Sequence, residues 1–182
     1  MKTYKLELLG LERDLPIISI SDKLDIASFV ILGDTELVEK AADAIASKIS
    51  SSVEYLICPE AKAIPLVHSI AVRKNLNYIV LRKSVKAYMK DYIVEEVKSI
   101  TTAESQKLVI NGADIEKIKG KKVAVIDDVV STGGTLSAVE RLLEKVGAEV
   151  VWKGAILLEG DETGPEYPNL FYIQKLPLFW KK

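Results

Sequence analysis

Hydrophobic positions along this chain recur in two rhythms, one of period two and one of period near four, the signatures of strands and helices. Residues 4–9 and 15–20 are short β-prone runs parted by Gly10. Pro16 in the second run predicts an edge strand, because proline cannot donate to a neighbouring ladder. Ile26–Leu32 is a third apolar run, after which Gly33-Asp34-Thr35-Glu36 predicts a helix start. Leu37, Ala41, Ile45 and Ile49 then recur every four residues and give that helix one buried stripe.

From there the pattern alternates. Val53–Cys58 predicts a strand, Ala63–Asn75 a helix with Pro65 in its first turn, and Tyr78–Leu81 another strand. Lys83–Ser105 breaks the rhythm: it is polar, charged and long, an excursion from the sheet in which Tyr92-Ile93-Val94 could pair as a strand. Leu108–Ile110 and Val123–Ile126 are read as resuming the sheet. Gly133–Val146 predicts a helix with Leu136, Val139, Leu142, Leu143 and Val146 facing inward, closed by Gly147 in a C-cap position. Val150–Leu158 predicts a strand interrupted at Trp152-Lys153-Gly154, and Leu170–Ile173 and Leu176–Phe179 form a short apolar tail. Buried strands alternating with helices predict the α/β class, a mostly parallel sheet flanked by helices on both faces. A length of 182 residues suits one such domain, taken here as residues 1–182.

Composition narrows the chemistry. With 25 basic and 26 acidic residues the net charge is −1, so no overall field recruits nucleic acid or an anionic membrane, and neither partner is expected. A lone cysteine, Cys58, excludes an internal disulfide, and its apolar neighbours Tyr55–Ile57 mark it as a small buried hydrophobe. His68 is the single histidine and lies among Ile64, Val67 and Ala71 at helical spacing, so packing is the expected role. No stretch has the length of a membrane-spanning helix, and the start, Met1-Lys2-Thr3-Tyr4-Lys5, lacks the apolar run of a signal peptide; a cytoplasmic location is expected.

The informative segment is Val123-Ala124-Val125-Ile126-Asp127-Asp128-Val129-Val130-Ser131-Thr132-Gly133-Gly134-Thr135. An apolar strand ends in two carboxylates, and a Ser/Thr/Gly loop then opens a helix. Ligands in open α/β sheets bind at the carboxyl ends of strands. Gly133 and Gly134 let backbone N–H groups surround a phosphate, Ser131, Thr132 and Thr135 add hydroxyl donors, and the helix start favours the anion. Carboxylates beside a phosphate site repel such a ligand unless Asp127 and Asp128 grip a sugar diol or a magnesium ion, Mg2+. Phosphate donors next to diol acceptors describe a ribose 5-phosphate. The bland reading, solvated capping carboxylates at an ordinary turn, has to produce all these features together by chance. The glycine spacing fits neither the Walker loop nor the dinucleotide fingerprint.

Val123–Thr135 resembles in full the phosphoribosyl-pyrophosphate signature of type I phosphoribosyltransferases, and the resemblance runs from about Val53 to Glu159. It is nearest to the purine enzymes of the adenine-type and archaeal hypoxanthine–xanthine-type. The resemblance implies a parallel-sheet core, a flexible loop over the active site, and a small hood, here residues 1–32 around Ser21–Phe29 with the C-terminal tail as a second contributor. It implies that Ser131–Thr135 hold the 5-phosphate and that Asp127 and Asp128 hold the ribose hydroxyls and, directly or through water, Mg2+. Pro59-Glu60-Ala61-Lys62-Ala63-Ile64-Pro65 resembles the pyrophosphate loop, and Arg82-Lys83 the basic pair opening the flexible loop, with Lys86, Tyr88 and Lys90 in the same cluster. Lys153 resembles a lysine that reads the carbonyl of 6-oxopurines. One departure stands out. Many adenine enzymes carry an aromatic–glutamate pair in the loop, and neither Glu95-Glu96-Val97-Lys98 nor Thr101-Thr102-Ala103-Glu104 matches it, which leaves the catalytic acid or base unassigned.

The expected partners are therefore phosphoribosyl pyrophosphate and a purine base, with adenine favoured, in purine salvage by a homodimer. Hypoxanthine, xanthine, guanine or a pyrimidine is the alternative within the class. A non-catalytic regulator that senses phosphoribosyl pyrophosphate is the alternative outside it, and it calls for a DNA-binding module or basic face for which this chain has neither length nor charge.

Overall fold

The structure, a computed structural model, describes residues 2–97, 106–160 and 167–181. Its centre is a five-stranded, wholly parallel sheet built from β4 (Tyr55–Pro59), β5 (Asn77–Leu81), β8 (Lys122–Val130), β9 (Glu149–Glu159) and β10 (Leu170–Leu176), in the order β10-β9-β8-β4-β5. Alternate residues of each strand feed two separate cores. Leu56, Cys58, Ala124 and Ile126 pack beneath α1 (Thr35–Ala46) and α2 (Ile64–Lys74), while Ile57, Val123 and Val125 pack beneath α4 (Gly134–Lys145). Both faces are covered, which is why the buried stretches of β4 and β8 are apolar on successive residues.

The helices form where the sequence signals them. Asp34 caps α1 by accepting from Leu37 N at 3.1 Å, and the stripe of Leu37, Ala41 and Ile45 is fully buried, each large member contributing about 1.5–3 kcal/mol. Pro65 sits in the first turn of α2, whose C-cap Asn75 is left-handed at φ 53°. α4 opens on Gly133 at φ 73° and closes before Gly147 at φ 76°, backbone angles that glycine adopts without strain.

The remaining strands lie outside the central sheet. β1 (Thr3–Leu8), β2 (Leu11–Ser21), β3 (Leu24–Ala27) and β11 (Leu178–Trp180) form an antiparallel sheet in the order β1-β2-β3-β11, so the C-terminal residues pair with the third N-terminal strand. Pro16 is not at an edge, since β2 lies between β1 and β3. It is tolerated because β3 ends at Ala27: Pro16 faces the end of that ladder, where its carbonyl accepts from Ser28 N.

Two further expectations change. Leu108–Ile110 belongs not to the central sheet but to β7 (Gln106–Ile110), which pairs antiparallel with β6 (Ile93–Val97) as a two-stranded ribbon bridged to the β5 end through Arg82 and Val109. β9 runs without interruption through Trp152-Lys153-Gly154. A seven-residue helix, α3 (Gly112–Ile118), follows the ribbon. The first part of the Lys83–Ser105 excursion is tied down: Lys90 N donates to Asn111 Oδ1 at 3.1 Å, and Gly112 N donates to Lys90 O at 3.0 Å. Residues 98–105 of that excursion, including Lys98 and Thr101-Thr102-Ala103-Glu104, lie outside the described residues. No helix among the described residues is long and apolar enough to cross a membrane.

Candidate active site

The carboxyl ends of β4 and β8 lie side by side, and the loops leaving them enclose the site. At the end of β8, Asp127 and residues Val129–Leu136 line a cavity of about 50 Å³ at the start of α4. It opens toward a larger cleft of about 180 Å³, lined by Pro59, Glu60, Ala61 and Lys62 on one side and by Asp127, Asp128, Val129 and Thr135 on the other. Asp127, Val129 and Thr135 line both, so the small cavity is an annex of the cleft.

The two acids are held differently. Asp128 is buried, only 3% exposed, with Oδ2 lying 2.7 Å from the Lys62 ammonium. That contact has the distance of an ion pair but not the angles of a hydrogen bond, so the buried oxygen lacks a hydrogen-bond donor. Asp127 accepts from the Asp128 backbone N–H at 2.8 Å. Its surface is partly open to the cleft, yet protein surrounds the carboxyl closely. Desolvation, with the Asp128 carboxylate beside it, pushes the Asp127 carboxyl well above the usual carboxylate range. Two oxygen-rich groups, one of them a buried acceptor without a donor, suit a hydroxyl or a hard cation. Among the described residues no group of three or more His, Cys, Asp or Glu could hold a metal alone, so an ion here would take its other ligands from substrate or water.

Across the cleft, the Pro59–Lys62 turn is braced from below. Glu60 N donates to Leu81 O at 2.8 Å, and its carboxylate accepts from Lys83 N at 3.0 Å and Arg82 Nε at 3.1 Å. The Lys83 backbone N–H, with the nearby basic groups, holds Glu60 below its ordinary value. The peptide between Glu60 and Ala61 is cis. Glu60, Ala61, Lys62 and Lys83 therefore share the cleft with Asp127 and Asp128. Arg82 is turned onto Glu60, and Lys86 donates to Ser84 Oγ at 2.7 Å and is not among the lining residues.

A model of the family described as phosphoribosyl transferase domain matches residues 31–176. The chain belongs to the phosphoribosyltransferase family. It is 33% identical over 139 residues to the hypoxanthine/guanine phosphoribosyltransferase of Methanococcus voltae, covering 75% of this chain and 69% of that one. It is 32% identical over 151 residues to the protein of the same name from Methanobacterium lacus, covering 79% and 76%. Among solved structures it resembles adenine phosphoribosyltransferase from Thermoanaerobacter pseudethanolicus, with TM-score 0.67 at 20% identity over 80% of this chain and 84% of that one. The Giardia lamblia APRTase complexed with 9-deazaadenine gives TM-score 0.65 at 15% identity over 95% and 93%. At those identities the structural likeness is one of fold.

Within this phosphoribosyltransferase the structure does not bring Lys153 to the cleft. Its ammonium lies 2.8 Å from Glu140 on α4, and it lines neither cavity that Asp127 lines. This mid-strand lysine faces a helix and takes a helix carboxylate as its partner. Cys58 is inert, its thiol pushed up to about 12 by burial and, secondarily, by Asp127. His68 packs edge-on to Tyr78, with ring centroids 5.9 Å apart. The sequence reading missed Val97, Gln106, Lys107 and Leu108, which line the cleft from the β6–β7 ribbon. It also missed the role of Glu95, which is buried and pairs with Arg141 Nε at 2.7 Å and Lys145 Nζ at 2.5 Å, pinning that ribbon to α4.

Proposed function

We propose that this chain transfers ribose 5-phosphate from phosphoribosyl pyrophosphate to a purine, releasing pyrophosphate, as a step of purine salvage. The observation that carries the reading is the shared cleft: Asp127 and Asp128 stand between the Ser131–Thr135 loop at the start of α4 and the Pro59–Lys62 turn. That sequence of donors, acceptors and cation matches the order of groups along the substrate, from 5-phosphate through ribose diol to diphosphate.

In this reading the N–H groups and hydroxyls of Ser131, Thr132, Gly133, Gly134 and Thr135 hold the 5-phosphate. Asp127 and Asp128 accept from the ribose hydroxyls, and Ala61, Lys62 and Lys83 face the diphosphate. A base ring nitrogen forms the new bond to the anomeric carbon as the bond to pyrophosphate breaks; the leaving oxygen takes the electron pair, and the base gives up its ring N–H proton to water. Asp127 and Asp128, directly or through water, are the residues that would hold Mg2+, which when bound supplies neutralisation of the diphosphate charge. Lys62 leaves Asp128 for the diphosphate once the ribose hydroxyls occupy that carboxylate. The protein's own contribution is positioning and electrostatic complementarity, since the reaction needs no protein nucleophile. The antiparallel sheet β1-β2-β3-β11 serves as the hood over the base.

For the base, hypoxanthine or guanine stands ahead of adenine, the base favoured from the sequence. Relatives carrying the hypoxanthine/guanine name are 30–33% identical to this chain, whereas the neighbours named for adenine are solved structures at 15–25% identity and argue chiefly for the fold. The test is a panel of hypoxanthine, guanine, xanthine and adenine with phosphoribosyl pyrophosphate and magnesium, read as pyrophosphate release. Release with hypoxanthine or guanine well above that with adenine is expected. Silence with every base would replace the enzyme by the sensing regulator.

A further inference from the structure

The Ser131–Thr135 loop does not hold its shape alone. Tyr167, which precedes β10, reaches back across 36 residues and donates its hydroxyl to the Ser131 carbonyl at 2.7 Å. The edge of its ring that carries Cε1, Cζ and Oη closes on Gly133, where an added Cβ would overlap Cε1 and stand only 2.8 Å from both Cζ and Oη. The residue is half-buried, packed with the core cluster that contains Leu136 and Ala155, and its own carbonyl accepts from Leu170 N at 3.2 Å. A brace anchored just before β10 thus holds the loop without entering the cavity, whose lining contains Thr132 and Gly133 but not Tyr167.

The peptide unit explains what the brace does. In a trans peptide the carbonyl of one residue and the N–H of the next point in opposite directions. Fixing the Ser131 carbonyl onto Tyr167 therefore aims the N–H of Thr132, a residue lining the cavity, away from Tyr167. Were that plane to flip, the cavity would present a carbonyl oxygen, which repels an anion. A loop of small residues, followed by a glycine at φ 73°, has little other packing to prevent such a flip. Burial raises the phenol of Tyr167 above its ordinary value, which keeps the hydroxyl a donor at neutral pH.

We propose that Tyr167 is a positioning residue for the phosphate-binding loop, acting through the Ser131–Thr132 peptide to preorganise it. The inference rests on the loop's reading as a 5-phosphate site and adds a residue that the local motif does not contain. Tyr167→Phe keeps the ring and removes only the brace's hydrogen bond. Its affinity for ribose 5-phosphate, titrated by calorimetry, is expected to fall about 2- to 10-fold, the range of one neutral hydrogen bond. The KM for phosphoribosyl pyrophosphate should rise by a similar factor, with the KM for the base and the melting temperature unchanged. Tyr167→Ala, which also releases the ring from Gly133, should weaken ribose 5-phosphate further. A residue that merely packs would lower the melting temperature and leave the ligand affinity alone. Wild-type affinity for ribose 5-phosphate in Tyr167→Phe overturns this inference and leaves the proposed function standing. Failure of the wild-type protein to bind ribose 5-phosphate overturns both.

Discussion

Asp128→Asn should make this protein more stable and nearly inactive. Asp128 is 3% exposed, and its Oδ2 has no hydrogen-bond donor. A buried carboxylate in that state costs more than the neutral amide that would replace it, by about 1–3 kcal/mol. The nearby Lys62 ammonium offsets part of this, but its side chain is 45% exposed and solvent screens it, so the return is about 0–1 kcal/mol. Removing the charge also relieves the repulsion that Asp127 feels from its neighbour, one of the causes that push the Asp127 carboxyl up. The net gain is about 1 kcal/mol, which for a chain of 182 residues is about 2–4 °C of melting temperature. Losing one charge-assisted bond to the ribose lowers kcat/KM by about 10- to 100-fold, from about 1.5–3 kcal/mol. Differential scanning fluorimetry without ligand and a pyrophosphate-release assay give the two numbers. A lower melting temperature with near-normal turnover would refute the reasoning, because it would make Asp128 a structural residue rather than a binding group maintained at the expense of stability.

Lys153→Ala should change the rates with hypoxanthine and adenine by the same factor, measured side by side in the base panel; a loss confined to 6-oxopurines would place Lys153 at the base site. Gly154→Ala should lower the melting temperature, since a Cβ there overlaps the Trp152 ring, and overpacking of this kind costs about 1–3 kcal/mol; an unchanged melt would mean that the indole moves aside freely. Glu95→Gln tests a pH dependence. Lys145 first, then Arg141, hold the Glu95 carboxylate below its ordinary 4.5, so the stability it supplies is present above that value and is lost as pH falls through the folded-state value. The melting-temperature gap between wild type and Glu95→Gln should be full at pH 7 and shrink progressively as pH falls below the ordinary 4.5, and a gap constant across that range would exclude the ion pairs as its source.

The layers of the fold were legible wherever burial imposed a rhythm. The four-residue stripe of α1 and the apolar runs of β4 and β8 could only be satisfied by a sheet covered on both faces. Rhythm failed where burial was complete or where the segment was short. Leu108, Val109 and Ile110 are all buried, so they read like a central strand although they lie in the ribbon. α3 fully buries Ile118 alone among its seven residues, which leaves no stripe to detect. Trp152-Lys153-Gly154 looked like a break because a lysine and a glycine interrupt an apolar run. In the fold Trp152 lies over Gly154, and Glu140 neutralises Lys153, so the strand continues.

The site divides along a different line. The half proposed to hold phosphate and diol was legible because it is contiguous: strand, acids and loop follow one another from Val123 to Thr135. The other half is assembled by strand order. β4 and β8 are neighbours, with Ile57 level with Val125, so two residues further on Pro59 stands level with Asp127 and the turn beyond it carries Lys62 over Asp128. No local pattern around Lys62 distinguishes it from a solvated lysine at a helix start; adjacency in the sheet does. The same holds for Lys107, delivered by the ribbon, and for Tyr167, delivered by β10. A motif can announce what a loop binds. Which groups face it across the cleft, and which hold the loop in the conformation that binds, follow from the topology of the parallel sheet.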